Sequence, residues 1–199
     1  MNGSQRRLNG ARGRRKGREE PADATAVDRG PQADPDSVAR TIVLTKLTAQ
    51  ARSRQELADA LAARDVPAEV AQRVLDRFTD VGLVDDAAFA KAWVESRHAS
   101  RGLSRRALAD ELRRKGVDDE LVQESLQDVD DESEYDAARS LVEKKARSTR
   151  TPDPRAQWRQ LVGLLARRGY SFALASRVVA DVLADNADAA PSETPSSWT

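Results

Sequence analysis

Residues 104–126 read SRRALADELRRKGVDDELVQESL, a pattern that predicts two helices separated by a glycine corner. The same pattern occurs 51 residues earlier as SRQELADALAARDVPAEVAQRVL in residues 53–75, and 53 residues later as QWRQLVGLLARRGYSFALASRVV in residues 157–179. The aligned positions, apolar except at Ser125, are Leu57, Leu61, Val66, Val70, Val74 and Leu75; Leu108, Leu112, Val117, Leu121, Ser125 and Leu126; and Leu161, Leu165, Tyr170, Leu174, Val178 and Val179. Such periodicity is typical of stacked supersecondary units. It favours an extended binding surface over a closed catalytic pocket.

A further amphipathic helix precedes each copy of the pattern, and the first of these is expected to bury Val38, Ile42, Val43 and Leu47. We therefore expect an all-α protein built from three tandem three-helix repeats, forming an elongated array that is either straight or curved. The termini lack apolar periodicity and are expected to be disordered. The predicted divisions are a basic N-terminal arm at 1–35, repeats at 36–82, 83–130 and 131–185, and a C-terminal tail at 186–199.

Several helix ends are marked by capping residues and glycines. Ser53 and Glu56 have the spacing of a capping box, and Asp85 with Asp86 suits a helix N-terminus. Helices are expected to end at Gly82, Gly116 and Gly169. The first corner instead carries Asp65, which predicts a strained or differently turned connection there. Phe89 and Trp93 lie one turn apart, so a packing role is favoured over base stacking.

The composition excludes several kinds of chemistry. With no cysteine, the chain has no disulfide, thiolate metal site or cysteine nucleophile, and its single histidine, His98, offers little for a triad or metal cluster. No glycine-rich phosphate loop occurs. We therefore expect no catalytic, cofactor or metal site, and no enzymatic activity. No signal sequence or membrane-spanning apolar run is apparent, so we expect a cytoplasmic protein. We also expect it to be a monomer.

Overall neutrality, with 33 basic and 33 acidic residues, conceals two oppositely charged segments. Residues 118–136 hold ten acidic and no basic residues, a charge of −10, whereas residues 139–177 hold ten basic and two acidic residues, a charge of +8. These are either solvated helix faces, or segments that neutralise each other across a repeat junction, or contact surfaces. For the last case the candidate contacts with DNA or an acidic surface are Arg147, Arg150, Arg155, Arg159, Arg167, Arg168 and Arg177.

Three segments together resemble the RecX regulatory proteins: GLVDDAAFAKAW at 82–93, ELRRKGV at 111–117 and LARRGY at 165–170. The resemblance extends over about residues 38–185, and Asp65 departs from it, because the family pattern favours glycine there. It implies tandem three-helix repeats without an active site. It also implies a modulator of the RecA recombinase, acting in DNA recombination and the SOS response, that binds the RecA–DNA filament and mostly inhibits RecA. The structural positions of that pattern here are Gly82, Asp85, Asp86, Phe89, Trp93, Gly116 and Gly169.

A direct DNA-binding regulator is the alternative, because three-helix units also build helix-turn-helix domains. The helix predicted over residues 118–129 would then enter the major groove, but its many carboxylates would be repelled by phosphate. We therefore expect only weak binding to single- or double-stranded DNA, without sequence preference, beside the RecA filament as the main partner.

Overall fold

The computed structural model describes residues 34–148 and 153–188, and within these ranges the chain forms α-helices and no strand. The expected disorder of the two termini concerns residues outside this description. The all-α fold of three tandem three-helix repeats is confirmed. Its helices are α1 Pro35–Ala49, α2 Arg54–Ala62, α3 Ala68–Asp80, α4 Asp86–Arg101, α5 Arg105–Arg114, α6 Asp119–Ser125, α7 Asp131–Ser148, α8 Pro154–Arg167 and α9 Phe172–Asp188.

Each consecutive set of three helices encloses its own hydrophobic core. Repeat 1 consists of α1–α3, repeat 2 of α4–α6 and repeat 3 of α7–α9, and the closest helix packing lies within these repeats. Leu57, Leu108 and Leu161 are buried at equivalent positions. The repeated apolar residues therefore form three separate cores, not one core shared between neighbouring units. Val38, predicted to point inward, is 37% exposed, because Ala39 and Val43 one turn apart form the buried face of α1.

The predicted helix caps are present. The Ser53 hydroxyl accepts from the Glu56 amide at 3.2 Å, and the Glu56 carboxylate accepts from the Ser53 amide at 3.2 Å, which completes the capping box. Asp85 accepts from the Ala88 amide at 2.9 Å at the start of α4. These local bonds satisfy amides that have no partner inside their own helix.

The three equivalent corners share a left-handed backbone but differ in their surroundings. Their φ angles are 57° at Asp65, 74° at Gly116 and 91° at Gly169. The first corner is thus turned like the other two, and Asp65 adopts there a backbone conformation that is costly for a residue with a side chain. A Cβ added at Gly116 would lie 2.4 Å from Gln55 Cβ, and one at Gly169 would lie 2.6 Å from Ser104 Oγ. Asp65 is exposed, and among the described residues no earlier repeat packs on its corner. Only the second and third corners therefore need glycine for space as well as for conformation.

Candidate functional site

The corner between the second and third helices of one repeat packs against the second helix of the repeat before it. At the junction of repeats 1 and 2, the Ser53 hydroxyl donates to the Lys115 carbonyl at 2.6 Å. At the junction of repeats 2 and 3, the Ser104 amide donates to the Arg168 carbonyl at 3.1 Å. Ser53 and Ser104 are both almost fully buried. The two junctions therefore use equivalent residues in equivalent places.

A carboxylate on the first helix of each following repeat caps the same helix N-terminus. Asp86 Oδ1 accepts from the Arg54 amide at 2.8 Å, and Glu134 Oε1 accepts from the Arg105 amide at 2.7 Å. Asp86 is half-buried, and this burial raises its pKa, although the Arg54 amide acts in the opposite direction. Of the adjacent carboxylates, Asp85 thus caps its own helix and Asp86 caps the neighbouring repeat.

The charges at the junction of repeats 1 and 2 are paired. Lys115 Nζ lies 2.7 Å from Glu56 Oε1, and Arg52 lies 3.3 Å from the same oxygen. Burial acts to raise the pKa of Glu56, but the hydrogen bonds from Lys115 and from the Ser53 amide outweigh it, so that pKa is lowered overall. Arg54 pairs with Asp76 at 2.5 Å. The positive charges of Lys115, Arg52 and Arg54 are therefore compensated by carboxylates within the protein.

Trp93 is bound into the same junction by polar and cation–π contacts. Its Nε1 donates to Glu111 Oε2 at 2.9 Å, and the ring centroid lies 5.7 Å from that of Phe89. The Arg97 guanidinium and Lys115 Nζ lie 4.1 Å and 4.2 Å from the Trp93 ring centroid. Because these groups already surround the indole, its environment supports a packing role over stacking on a base.

Arg168 and Tyr170 hold the junction of repeats 2 and 3. The Arg168 guanidinium donates to the Arg101 carbonyl, and the Tyr170 hydroxyl donates to the Gly102 carbonyl at 3.1 Å. Tyr170 is buried, and this burial raises its pKa to about 12. Arg168, a candidate contact in the sequence, therefore has a structural role at the junction as well as a positive charge.

Four arginines gather around this junction and are named here the junction arginines: Arg101, Arg106, Arg167 and Arg168. Arg106 immediately precedes Ala107, whose Cβ would be 2.7 Å from a Cβ added at Gly169. Arg101, Arg106 and Arg167 are exposed, and none has a carboxylate within 4.0 Å in the described part of the chain. Arg101 and Arg106 could not be identified from the sequence, because they belong to repeat 2 and only the docking of the corner places their segments against the one that carries Arg167 and Arg168.

The remaining candidates of repeat 3 lie on two helices. Arg147 is exposed in the last turn of α7, and Arg155 and Arg159 are exposed one turn apart on α8. Arg150 lies outside the described residues. Arg177 is exposed on α9, and its guanidinium lies 5.2 Å from the ring centroid of Tyr135. Arg177 also borders a groove with acidic residues of α7, so its surroundings are less positive than those of the other candidates.

Part of the acidic segment 118–136 has a capping role. Asp118 accepts from the Glu120 amide at 2.8 Å, and Asp130 accepts from the Ser133 amide at 2.8 Å. Asp119 pairs with Arg113 within repeat 2 at 2.7 Å. Among the described residues no ion pair within 4.0 Å joins this segment to the basic segment 139–177. Mutual neutralisation is therefore limited to longer range, as around the groove that Arg177 shares with acidic residues of α7.

Two kinds of site are not found in the described ranges. No cluster of three or more histidine, aspartate or glutamate side chains there is arranged to hold a metal ion. No described helix has both the length and the apolarity needed to span a membrane.

These features define a class: an all-helical tandem-repeat protein whose repeats dock through equivalent corners and whose second junction is rich in arginine. Models of the first, second and third three-helix domains of RecX match residues 39–78, 85–126 and 131–179. The chain belongs to the RecX family of regulatory proteins.

Curated relatives share this assignment. A regulatory protein RecX from Streptomyces lividans is 50% identical over 158 residues, which cover 79% of this chain and 84% of that protein. One from Thermobifida fusca is 50% identical over 145 residues, covering 73% and 78%. One from Mycolicibacterium smegmatis is 47% identical over 174 residues, covering 83% and 91%. The similarity therefore extends over most of both chains.

Solved structures show the same fold. The crystal structure of RecX from Lactobacillus salivarius superposes with a TM-score of 0.67 at 21% identity, covering 77% of this chain and 99% of that one. A second crystal structure, of a regulatory protein RecX, gives a TM-score of 0.62 at 21% identity, covering 75% and 73%. At this level of identity the likeness concerns the fold alone.

Proposed function

We propose that the protein regulates recombination and repair by binding the RecA–DNA filament and inhibiting RecA. The observation that carries the proposal is the exposed, unpaired arginine surface around the junction of repeats 2 and 3, on a protein of the RecX family. In the proposed mechanism the repeats lie along the filament and occupy its surface, where they oppose subunit addition or the movements that accompany ATP turnover. The protein acts as a cytoplasmic monomer without chemistry of its own.

Arginine suits the phosphate component of such a filament. Its planar guanidinium makes paired hydrogen bonds to phosphate oxygens, and each neutralised phosphate releases counterions. Binding is therefore expected to weaken as salt rises. The exposed carboxylates of segment 118–136 would face basic groups on the protein component, which speeds encounter more than it adds affinity.

Helix α6 gives little support to the alternative of sequence-specific duplex binding. It spans only seven residues, and its first turn carries Asp119 and Glu120. A helix of that length and charge is poorly suited to the major groove of DNA. Specific binding to duplex DNA in the absence of RecA would nevertheless favour this alternative.

The test is RecA ATPase activity on single-stranded DNA with the protein added. The wild type is expected to inhibit at stoichiometric amounts, and no effect at such amounts contradicts the proposed function. Arg101, Arg106 and Arg167 are then changed together to Glu, with the triple change of Arg64, Arg77 and Arg114 to Glu as the charge-matched control. In a third variant Arg150, Arg155 and Arg159 are changed together to Glu.

The junction variant is expected to lose inhibition and to show a shallower salt dependence, by roughly 0.7 in logarithmic slope for each phosphate contact removed on a single strand. The control should inhibit like the wild type. Equal loss of inhibition in the junction variant and the control variant would show that net charge, and not the junction surface, is responsible.

A further inference from the structure

Repeats 1 and 2 each receive the next repeat on the same surface, and no described repeat packs on the equivalent positions of repeat 3. In repeat 1 the surface includes Arg54, whose amide is capped by Asp86, and Ala68, which lines a groove with Gly116. The 51- and 53-residue offsets place Trp158 and Phe172 at the positions of Arg54 and Ala68. Two aromatic rings thus occupy positions that are polar or small in the other repeats.

The two rings pack edge to face and remain accessible. Their centroids lie 6.2 Å apart with an interplanar angle of 77°. Phe172 is 71% exposed, so it contributes little to the core of repeat 3, whereas Trp158 is partly buried against that core. An aromatic side chain exposed to this extent leaves a ring surface free for contact with a partner.

The charged groups beside the rings favour an anionic partner. On α8, Arg155 lies three residues before Trp158 and Arg159 one residue after it, and both arginines are exposed without a carboxylate within 4.0 Å among the described residues. The nearby Asp153 caps α8, since its carboxylate accepts from the Arg155 amide at 2.9 Å. The end surface, defined as Arg155, Trp158, Arg159 and Phe172, therefore combines aromatic faces with positive charge.

We propose that the end surface binds single-stranded DNA, with a base stacked on the aromatic pair and adjacent phosphates held by the two arginines. Stacking needs an unpaired base face, which a duplex does not offer, and the flanking guanidiniums match a phosphate backbone. The inference rests on the proposed function, because it names the nucleic-acid component that repeat 3 contacts. It is tested without RecA.

The experiment uses the full chain with Trp93 and Trp198 changed to Phe, so that Trp158 is the sole tryptophan. Titration with an oligothymidylate of about 20 nucleotides is expected to quench Trp158 fluorescence saturably. Anisotropy of a labelled oligonucleotide on the chain with its natural tryptophans gives an independent measurement if the Phe changes impair folding.

Phe172→Ala is expected to weaken binding by between about 5-fold and about 150-fold, the range that corresponds to loss of one stacked base. Leu83→Ala, which also truncates an exposed apolar side chain at 54% exposure, is the control and should bind like the wild type.

Absent quenching, equal affinities of Phe172→Ala and Leu83→Ala, or tighter binding to duplex than to single strand would overturn the inference. So would quenching by RecA alone but not by the oligonucleotide, since the partner would then be a protein. A chain that inhibits RecA without binding the oligonucleotide refutes only this inference. A chain that binds the oligonucleotide without affecting RecA refutes only the proposed function.

Discussion

Three glycines allow the docking of the repeats to be measured separately from backbone strain. Gly82 and Gly116 have nearly the same φ, 72° and 74°, but an added Cβ meets nothing within 4 Å at Gly82 and lies 2.4 Å from Gln55 Cβ at Gly116. Gly169 has a φ of 91°, and its added Cβ would lie 2.7 Å from Ala107 Cβ. Gly82→Ala is therefore a matched control for Gly116→Ala and Gly169→Ala.

The expected magnitudes follow from two costs. A side chain in the left-handed region costs about 1–2 kcal/mol, which is the whole effect expected at Gly82. Forcing a Cβ against another Cβ adds about 1–3 kcal/mol, because neither atom can move without its helix. Gly116→Ala and Gly169→Ala should thus lower the free energy of unfolding by about 2–5 kcal/mol. The assay is urea denaturation followed by far-UV circular dichroism, where the excess corresponds to a midpoint about 0.5–1.5 M lower.

Gln55 provides a second test of the same contact. Gln55→Gly removes the Cβ that obstructs residue 116, whereas Gln55→Ala keeps it. Combined with Gly116→Ala, the first change should recover about 1 kcal/mol or more relative to additivity. The second should recover less, because it removes the Gln55 Cγ contact at 2.5 Å but keeps the Cβ contact at 2.4 Å. The reasoning is refuted if Gly116→Ala and Gly169→Ala cost no more than Gly82→Ala.

Two further predictions concern repeat 1. Asp65→Gly should stabilise the protein by about 0.5–1 kcal/mol, because it relieves a φ of 57° at an exposed corner, and an unchanged or lower urea midpoint would contradict this. Glu56 has a lowered pKa in the folded protein, so its stabilising effect is present above its ordinary value of 4.5 and is lost as pH falls through the folded value. The urea midpoint of the wild type should therefore decline more steeply in acid than that of Glu56→Gln, and parallel declines would exclude the contribution.

The fold could be predicted from the sequence because its determinants are local or periodic. Leu57, Leu108 and Leu161 recur at fixed spacing and are buried, and the capping box at Ser53 needs only residues within one turn. The prediction that Val38 is buried is wrong, because apolar character alone does not decide which of two neighbouring faces of the first helix packs on the core. Alanine at position 39, a small residue with a weak apolar signal, is the one that faces the core.

The candidate site could be predicted only in part, because it depends on how one repeat docks on another. The sequence identifies Arg167 as positive, but not that the corner at Gly169 docks on the segments that carry Arg101 and Arg106. Nor does the sequence distinguish Asp85, which caps its own helix, from Asp86, which crosses the junction. Docking geometry is a tertiary property that periodicity within each repeat does not contain.

The second junction carries more uncompensated positive charge than the first, because a carboxylate present at the first is missing from the second. At the first junction Lys115 is paired with Glu56 at 2.7 Å. The repeat offsets place Arg168 at the position of Lys115 and Ala107 at the position of Glu56, so the second junction keeps the cation and lacks its carboxylate. Ala107 also packs closely on Gly169, where a larger side chain would have to extend past the corner. One replacement, glutamate by alanine, thus fits the corner and leaves Arg168 without its counter-charge, which makes the second junction the more favourable place for phosphate.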